Sequence, residues 1–236
     1  MFKKLSVGAL LVLLTACGAP RPRQAAPQNP VESASRPGSA PAGKAYRIDE
    51  TRSELRILVY RAGPLARFGH NHVVVNRSIR GTVNLADAAG GSEFRLDVPV
   101  AAFVVDDAQA RREEGADFAA EVPEDAKSGT LRNMLSVAVL DGDEFPMITV
   151  NSVAVSTADE TGTTAFLASV VISVAGHESK IDVPFRLESD SRQLSAKGSL
   201  ELRQSAIGLA PYSLMMGALQ VQDAMTIKFD IVATES

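Results

Sequence analysis

A chain of 236 residues that is 45% apolar, with no Trp and a single Cys, can hold one large or two small domains; its composition is that of a folded globular protein, not of a disordered or multiply membrane-spanning one. Acidic residues outnumber basic ones by 28 to 24, and from Ala45 onward the imbalance widens to 27 against 18. That balance argues against a nucleic-acid partner, which needs clustered Lys and Arg, and equally against docking on anionic headgroups, while the lone Cys excludes an intrachain disulfide.

The first element is a leader. Lys3 and Lys4 form a positive start, Leu5 to Leu14 an apolar run too short to span a bilayer, and Leu14-Thr15-Ala16-Cys17 follows. These four residues resemble the lipobox of bacterial lipoproteins, which implies cleavage before Cys17 and acylation of it; the alternative is a chance thiol in an ordinary signal peptide. Three acyl chains, at about 0.8 kcal/mol per buried methylene, would hold the protein on a membrane effectively permanently. Gly18 in place of Asp after the cysteine implies, by resemblance to enteric-type sorting, a periplasmic protein on the outer membrane rather than the inner. Gly18 to Lys44 contains six of the twelve prolines and almost no large apolar residue, so it cannot bury enough surface to fold. It reads as a tether reaching roughly 80 Å if fully extended as polyproline. The expected organisation is therefore a signal peptide over 1–16, a lipidated tether over 17–44 and one domain over 45–236.

From Tyr46 onward the pattern has period two, the mark of strands with one buried face. Strands are predicted near Leu55–Tyr60, Val73–Asn76, Gly81–Ala86, Phe94–Val98, Met147–Ser156, Ala165–Val174, Ile181–Leu187, Ser195–Gln204 and Met225–Ile231. Pro184 falls inside one of them, which predicts an edge or bulge where its missing amide is tolerated. Turn signals at Asp87–Gly91, Asp159–Gly162 and Glu188–Ser191 make the links short, and short links mean antiparallel neighbours. Between Asp107 and Leu135 charge is dense and the residues favour helix, with Leu131, Met134 and Leu135 forming one apolar stripe. The fold expected is all-β: a single closed antiparallel barrel with one or two short helices at one end.

His70-Asn71-His72 is the conspicuous cluster. Two imidazoles two residues apart on a strand could share a metal or a ligand, although His177 is the only other histidine, and a hydrogen-bonded structural pair is the simpler account. Asp106, Asp107, Arg111 and Arg112 flank the change from strand to helix, where one Asp is expected to cap the helix and the arginines to pair locally. No nucleophile elbow and no phosphate-cradling Gly-rich loop is present, so no catalytic constellation emerges. Phe68, Phe103, Val105, Met134, Phe145, Leu214, Met215 and Met216 lie near loops or strand ends, where they either pack or line a cavity for an apolar ligand.

Several segments together resemble the YceI-like family of lipid- or polyisoprenoid-binding periplasmic proteins. They are Tyr46-Arg47-Ile48-Asp49, Phe68-Gly69-His70-Asn71-His72, Gly81, Val104-Val105-Asp106-Asp107 with Arg111, and Arg132-Asn133-Met134-Leu135. Val139-Leu140-Asp141, Phe145-Pro146-Met147-Ile148, Gly208 with Pro211 and Ser213, and Val221-Gln222-Asp223 complete the series. Ala175-Gly176-His177-Glu178-Ser179 departs from the family's usual His-Gly-Val-Thr-like turn. The resemblance implies a lipocalin-like barrel whose lumen holds a long isoprenoid chain or a quinone, with no reaction catalysed and no metal. It puts Phe68, His70 and His72 at the pocket mouth, Met134 and Leu214 on its lining, and leaves Phe103, Val105 and Phe145 as further ligand contacts. Two alternatives stay open: a metal- or haem-linked redox protein using His70 and His72, and a structural envelope protein without ligand. The oligomeric state also stays open, a homodimer included.

Overall fold

The computed structural model describes residues 43–160, 163–190 and 192–236. The leader, Cys17 and nearly all of the tether lie outside them, as does the centre of the Asp159–Gly162 turn. Fourteen strands run in chain order: β1 (Lys44–Ile48), β2 (Glu54–Val59), β3 (Arg61–Ala62), β4 (His72–Asn76), β5 (Arg80–Leu85), β6 (Glu93–Pro99), β7 (Val104–Val105), β8 (Met147–Glu160), β9 (Thr163–Val174), β10 (His177–Ser189), β11 (Gln193–Arg203), β12 (Ser213–Leu214), β13 (Leu219–Val221) and β14 (Ala224–Glu235). Two helices, α1 (Ala108–Glu113) and α2 (Glu124–Leu135), interrupt the series where helix was predicted.

Eight strands close an antiparallel barrel in the order β1-β5-β6-β8-β9-β10-β11-β14, with β14 returning to β1 through Tyr46↔Glu235 to Ile48↔Ala233. Closure removes the sheet edges that an open sheet of this size would expose. β14 is long enough to serve two partners on one side. Its second half holds β1 and its first half holds β2, from Thr226↔Leu58 to Asp230↔Glu54, and β2 continues into β4 and β7. A small separate sheet, β12-β13-β3, lies at the β2 exit.

The alternation predicted for β10 is literal, with Ile181, Val183, Phe185 and Leu187 turned inward and Asp182, Pro184 and Arg186 exposed. β10 pairs with β9 along its length, but its ladder to β11 runs only from Arg186↔Lys197 to Ser189↔Leu194. Pro184, which has no amide hydrogen to donate, stands two residues past the point where that ladder stops. Gly198 faces the same place: a Cβ there would come within 2.6 Å of the Pro184 carbonyl oxygen and 2.3 Å of the Phe229 ring. The paired ladder of β10 and β11 therefore stops here, leaving an unpaired seam along the first half of β10 although Gly198 still packs close against Pro184.

β4 departs from alternation, since Val73, Val74 and Val75 are all buried. Val74 faces the interior, whereas Val73 and Val75 join Leu58, Ala110 of α1 and Phe118 in a cluster on the outside of the wall. A continuous apolar run thus marks a strand covered on both faces, and Ile231, Val232 and Ala233 of β14 repeat the pattern where β14 meets β1. Asp107 caps α1 by accepting from the Ala110 amide at 2.9 Å. α2 lays Leu131, Met134 and Leu135 against the interior, and Glu124 and Asp125 in its first turn with Arg132 in its last complement the helix dipole.

Candidate functional site

The interior is hollow. A cavity of about 600 Å³ runs inside the barrel, walled by the inward residues of nearly every strand. Ile57, Val83, Leu96, Ile172, Val183 and Ile227 all face it and are only partly buried, because the space in front of them is empty rather than filled by neighbours. Towards the helices the lumen narrows into packed core, where Phe103, Leu140 and Ile207 are at most 6% exposed. At the opposite end, where β5 leads to β6 and β8 approaches β9, the wall residues Asp87, Glu93 and Thr157 are exposed, so the lumen opens there. β1 begins beside that rim, Lys44 pairing with Leu85.

Away from the rim the wall carries one polar side chain among the described residues, Gln204. It continues the inward series Leu194, Ala196 and Leu202 of β11 and is 6% exposed. Its backbone amide donates to the Asp223 carbonyl at 2.8 Å, and its carbonyl accepts from the Leu209 amide at 3.0 Å. Its side-chain Nε2 donates to the Gln222 carbonyl at 2.7 Å.

The residues singled out in the sequence divide into two groups. Phe103 and Met134 lie on the cavity wall. Val105 is buried in the surrounding core, and Phe145 packs on the turn between β9 and β10, where a Cβ on Gly176 would come within 2.8 Å of its ring. Phe68 and Leu214 are exposed near the small sheet, off the wall, with the Arg67 guanidinium 4.6 Å from the Phe68 ring centre. Met215 and Met216 project beside Leu214 in a left-handed turn. The wall itself was readable as the inward half of each alternating strand, a signal present in the sequence but spread over the whole domain rather than gathered in a motif.

His70 and His72 sit at the helical end with ring centres 6.1 Å apart, outside the lumen. Both nitrogens of His72 are engaged: Nδ1 with Asp106 at 2.6 Å and Nε2 with the Thr130 hydroxyl of α2 at 3.2 Å. Asp106 is fully enclosed, accepts from the Val73 amide at 3.0 Å and from Arg111, and holds a positive φ of 57°. Burial alone would raise its pKa. Hydrogen bonds from His72, the Val73 amide and Arg111, with the charge of His72, outweigh burial and hold the carboxyl below its ordinary value of 3.8. Arg111 also donates to the carbonyls of Asn71, Phe118 and Ala120, at 2.7 to 2.9 Å. The cluster ties β4, β7, α1 and α2 together, a structural task. His177 lies at the β9–β10 turn against Gly208, and among the described residues no three His, Cys, Asp or Glu side chains converge as a metal site.

A model of the YceI-like domain matches residues 46–233. Among solved structures, Burkholderia cenocepacia BcnA superposes with a TM-score of 0.58 at 15% identity, over 79% of this chain and 99% of that one. A polyisoprenoid binding domain from Saccharophagus degradans, implicated in plant cell wall breakdown, superposes with 0.52 at 11% identity, over 82% and 99%. At such identities the likeness shows the fold alone. The search among curated proteins found no match.

Proposed function

Because this chain belongs to the YceI-like domain family, we propose that its barrel is a binding module, catalysing no reaction, that holds a long-chain isoprenoid-type lipid or a quinone in its lumen. The carrying observation is the hollow, almost wholly apolar interior. Its volume of about 600 Å³ falls within the range of about 300–1,000 Å³ found for small-molecule sites. Each methylene taken from water contributes about 0.8 kcal/mol, so five of them already favour binding by roughly a thousandfold. Branched wall residues offer no directional contact, so chain length and shape govern what fits. The isoprenoid class is supported by the Saccharophagus degradans relative, which is described as a polyisoprenoid binding domain.

The leader and the Leu14-Thr15-Ala16-Cys17 motif support a carrier or sequestering protein tethered in the periplasm through acylated Cys17, on the outer membrane. Lipid extraction from the purified protein followed by mass spectrometry tests the ligand. Val183→Trp, which adds an indole to the inward face of β10, is expected to leave the far-ultraviolet spectrum unchanged and to lower the recovered prenyl lipid at least tenfold. Wild-type protein that emerges without lipid and takes up no prenyl chain in vitro would refute the reading.

A further inference from the structure

The lumen is not chemically uniform along its length. Its rim carries Asp87, Glu93 and Thr157, its middle is hydrocarbon, and near its helical end stands Gln204. An amide in such a place is expensive unless each polar atom is partnered. Three of the four polar atoms of Gln204 are satisfied by Asp223, Leu209 and Gln222. The Gln222 carbonyl can only accept, so the side-chain group that meets it must be the NH2, and the amide's orientation is thereby fixed. What remains is the second Nε2 hydrogen and Oε1, an acceptor with no partner in the protein, on a side chain that is more than nine-tenths buried and borders the lumen.

We infer that Gln204 selects ligands whose leading end carries a hydrogen-bond donor: a prenyl alcohol or a hydroquinone hydroxyl, rather than a hydrocarbon, an ether or a quinone carbonyl. This rests on the lipid-binding reading above and adds to it an orientation, with the hydroxyl innermost and the hydrocarbon trailing to the rim. The physical basis is an asymmetry. A hydroxyl replaces the hydrogen bond that water would give Oε1 and can also accept from the second Nε2 hydrogen, whereas an acceptor-only end can take that hydrogen but expels the water and leaves Oε1 unpaired. A site built to bond a hydroxyl rejects the analogue lacking it more strongly than a greasy wall distinguishes one methylene from the next. The expected preference is about tenfold to a hundredfold, the range that corresponds to leaving a buried neutral acceptor unpaired.

Geranylgeraniol and its methyl ether share one chain and differ only in the donor, which makes them the probes of choice. Competition between them on the full chain, read by native mass spectrometry, should favour the alcohol at least tenfold, and Gln204→Met, close in volume but without the amide, should bring the two to parity. Equal binding to the wild type overturns the inference and leaves the lipid-binding reading standing. A preference that survives in folded Gln204→Met also overturns it, since another group would then be responsible. Binding of neither probe removes the lipid-binding reading itself, and this inference with it. Should Gln204→Met not fold, a crystal structure of the wild-type complex decides: a hydroxyl within hydrogen-bonding distance of Oε1 supports the assignment, and a hydroxyl at the rim beside Asp87 and Glu93 overturns it.

Discussion

Asp106 shows how a single side chain can organise one end of the barrel. Its carboxylate is enclosed, its backbone is left-handed, and it joins His72, the Val73 amide and Arg111. Replacing it by Asn leaves the Arg111 guanidinium buried without its counter-charge, which is expected to cost roughly 3–5 kcal/mol. Because folding depresses the Asp106 pKa, its contribution is present above the ordinary value of 3.8 and lost as pH falls through the lower, folded value. Urea unfolding at a series of pH values should therefore show a gap between wild type and Asp106→Asn that narrows as the solution is acidified below about 4. The sequence showed the Asp106-Asp107 pair and Arg111 beside a helix start, and that Asp107 caps α1 followed from local spacing. That Asp106 reaches His72 did not follow, because the two are 34 residues apart and only the antiparallel meeting of β4 with β7 brings them into contact.

At the scale of elements, alternation and apolar runs located nine of the ten described strands of five or more residues, all but β1, to within about four residues, since most of them line the barrel with one face and expose the other. The two-residue strands β3, β7 and β12 were not legible, being too short to show any period. The ladder between β10 and β11 presents a clear test. Beyond Pro184 these strands are each paired on one side only, so amides of Gly198 to Leu202 that point across the seam lack the protection that β9 amides receive from two neighbours. Native-state hydrogen exchange should show some of the Gly198–Leu202 amides exchanging at least tenfold faster than those of Ala168 to Ile172, and uniform protection across both segments would mean the wall is continuous. The proline predicted an interruption, but that Gly198 and Phe229 crowd the same place was not legible, because they approach from other strands.

For the whole molecule, the proposed tether and the barrel make separable predictions. Cys17→Ser is expected to move the protein from the sedimented membrane fraction to the soluble one, whereas unchanged sedimentation would count against acylation at that residue. The inward pattern of the strands, the helical insertion and the family's motif series were all determined by the sequence alone, because alternation and local spacing are properties of neighbours along the chain. What only the tertiary structure decided is that the inward faces enclose empty space, that Phe103 and Met134 reach it while Phe68 and Leu214 do not, and that away from the rim Gln204 is the one polar side chain on its wall among the described residues. The physical reason is closure: when β14 meets β1, eight strands set a circumference wider than their own side chains can fill, and no residue reports that width until the ring is shut.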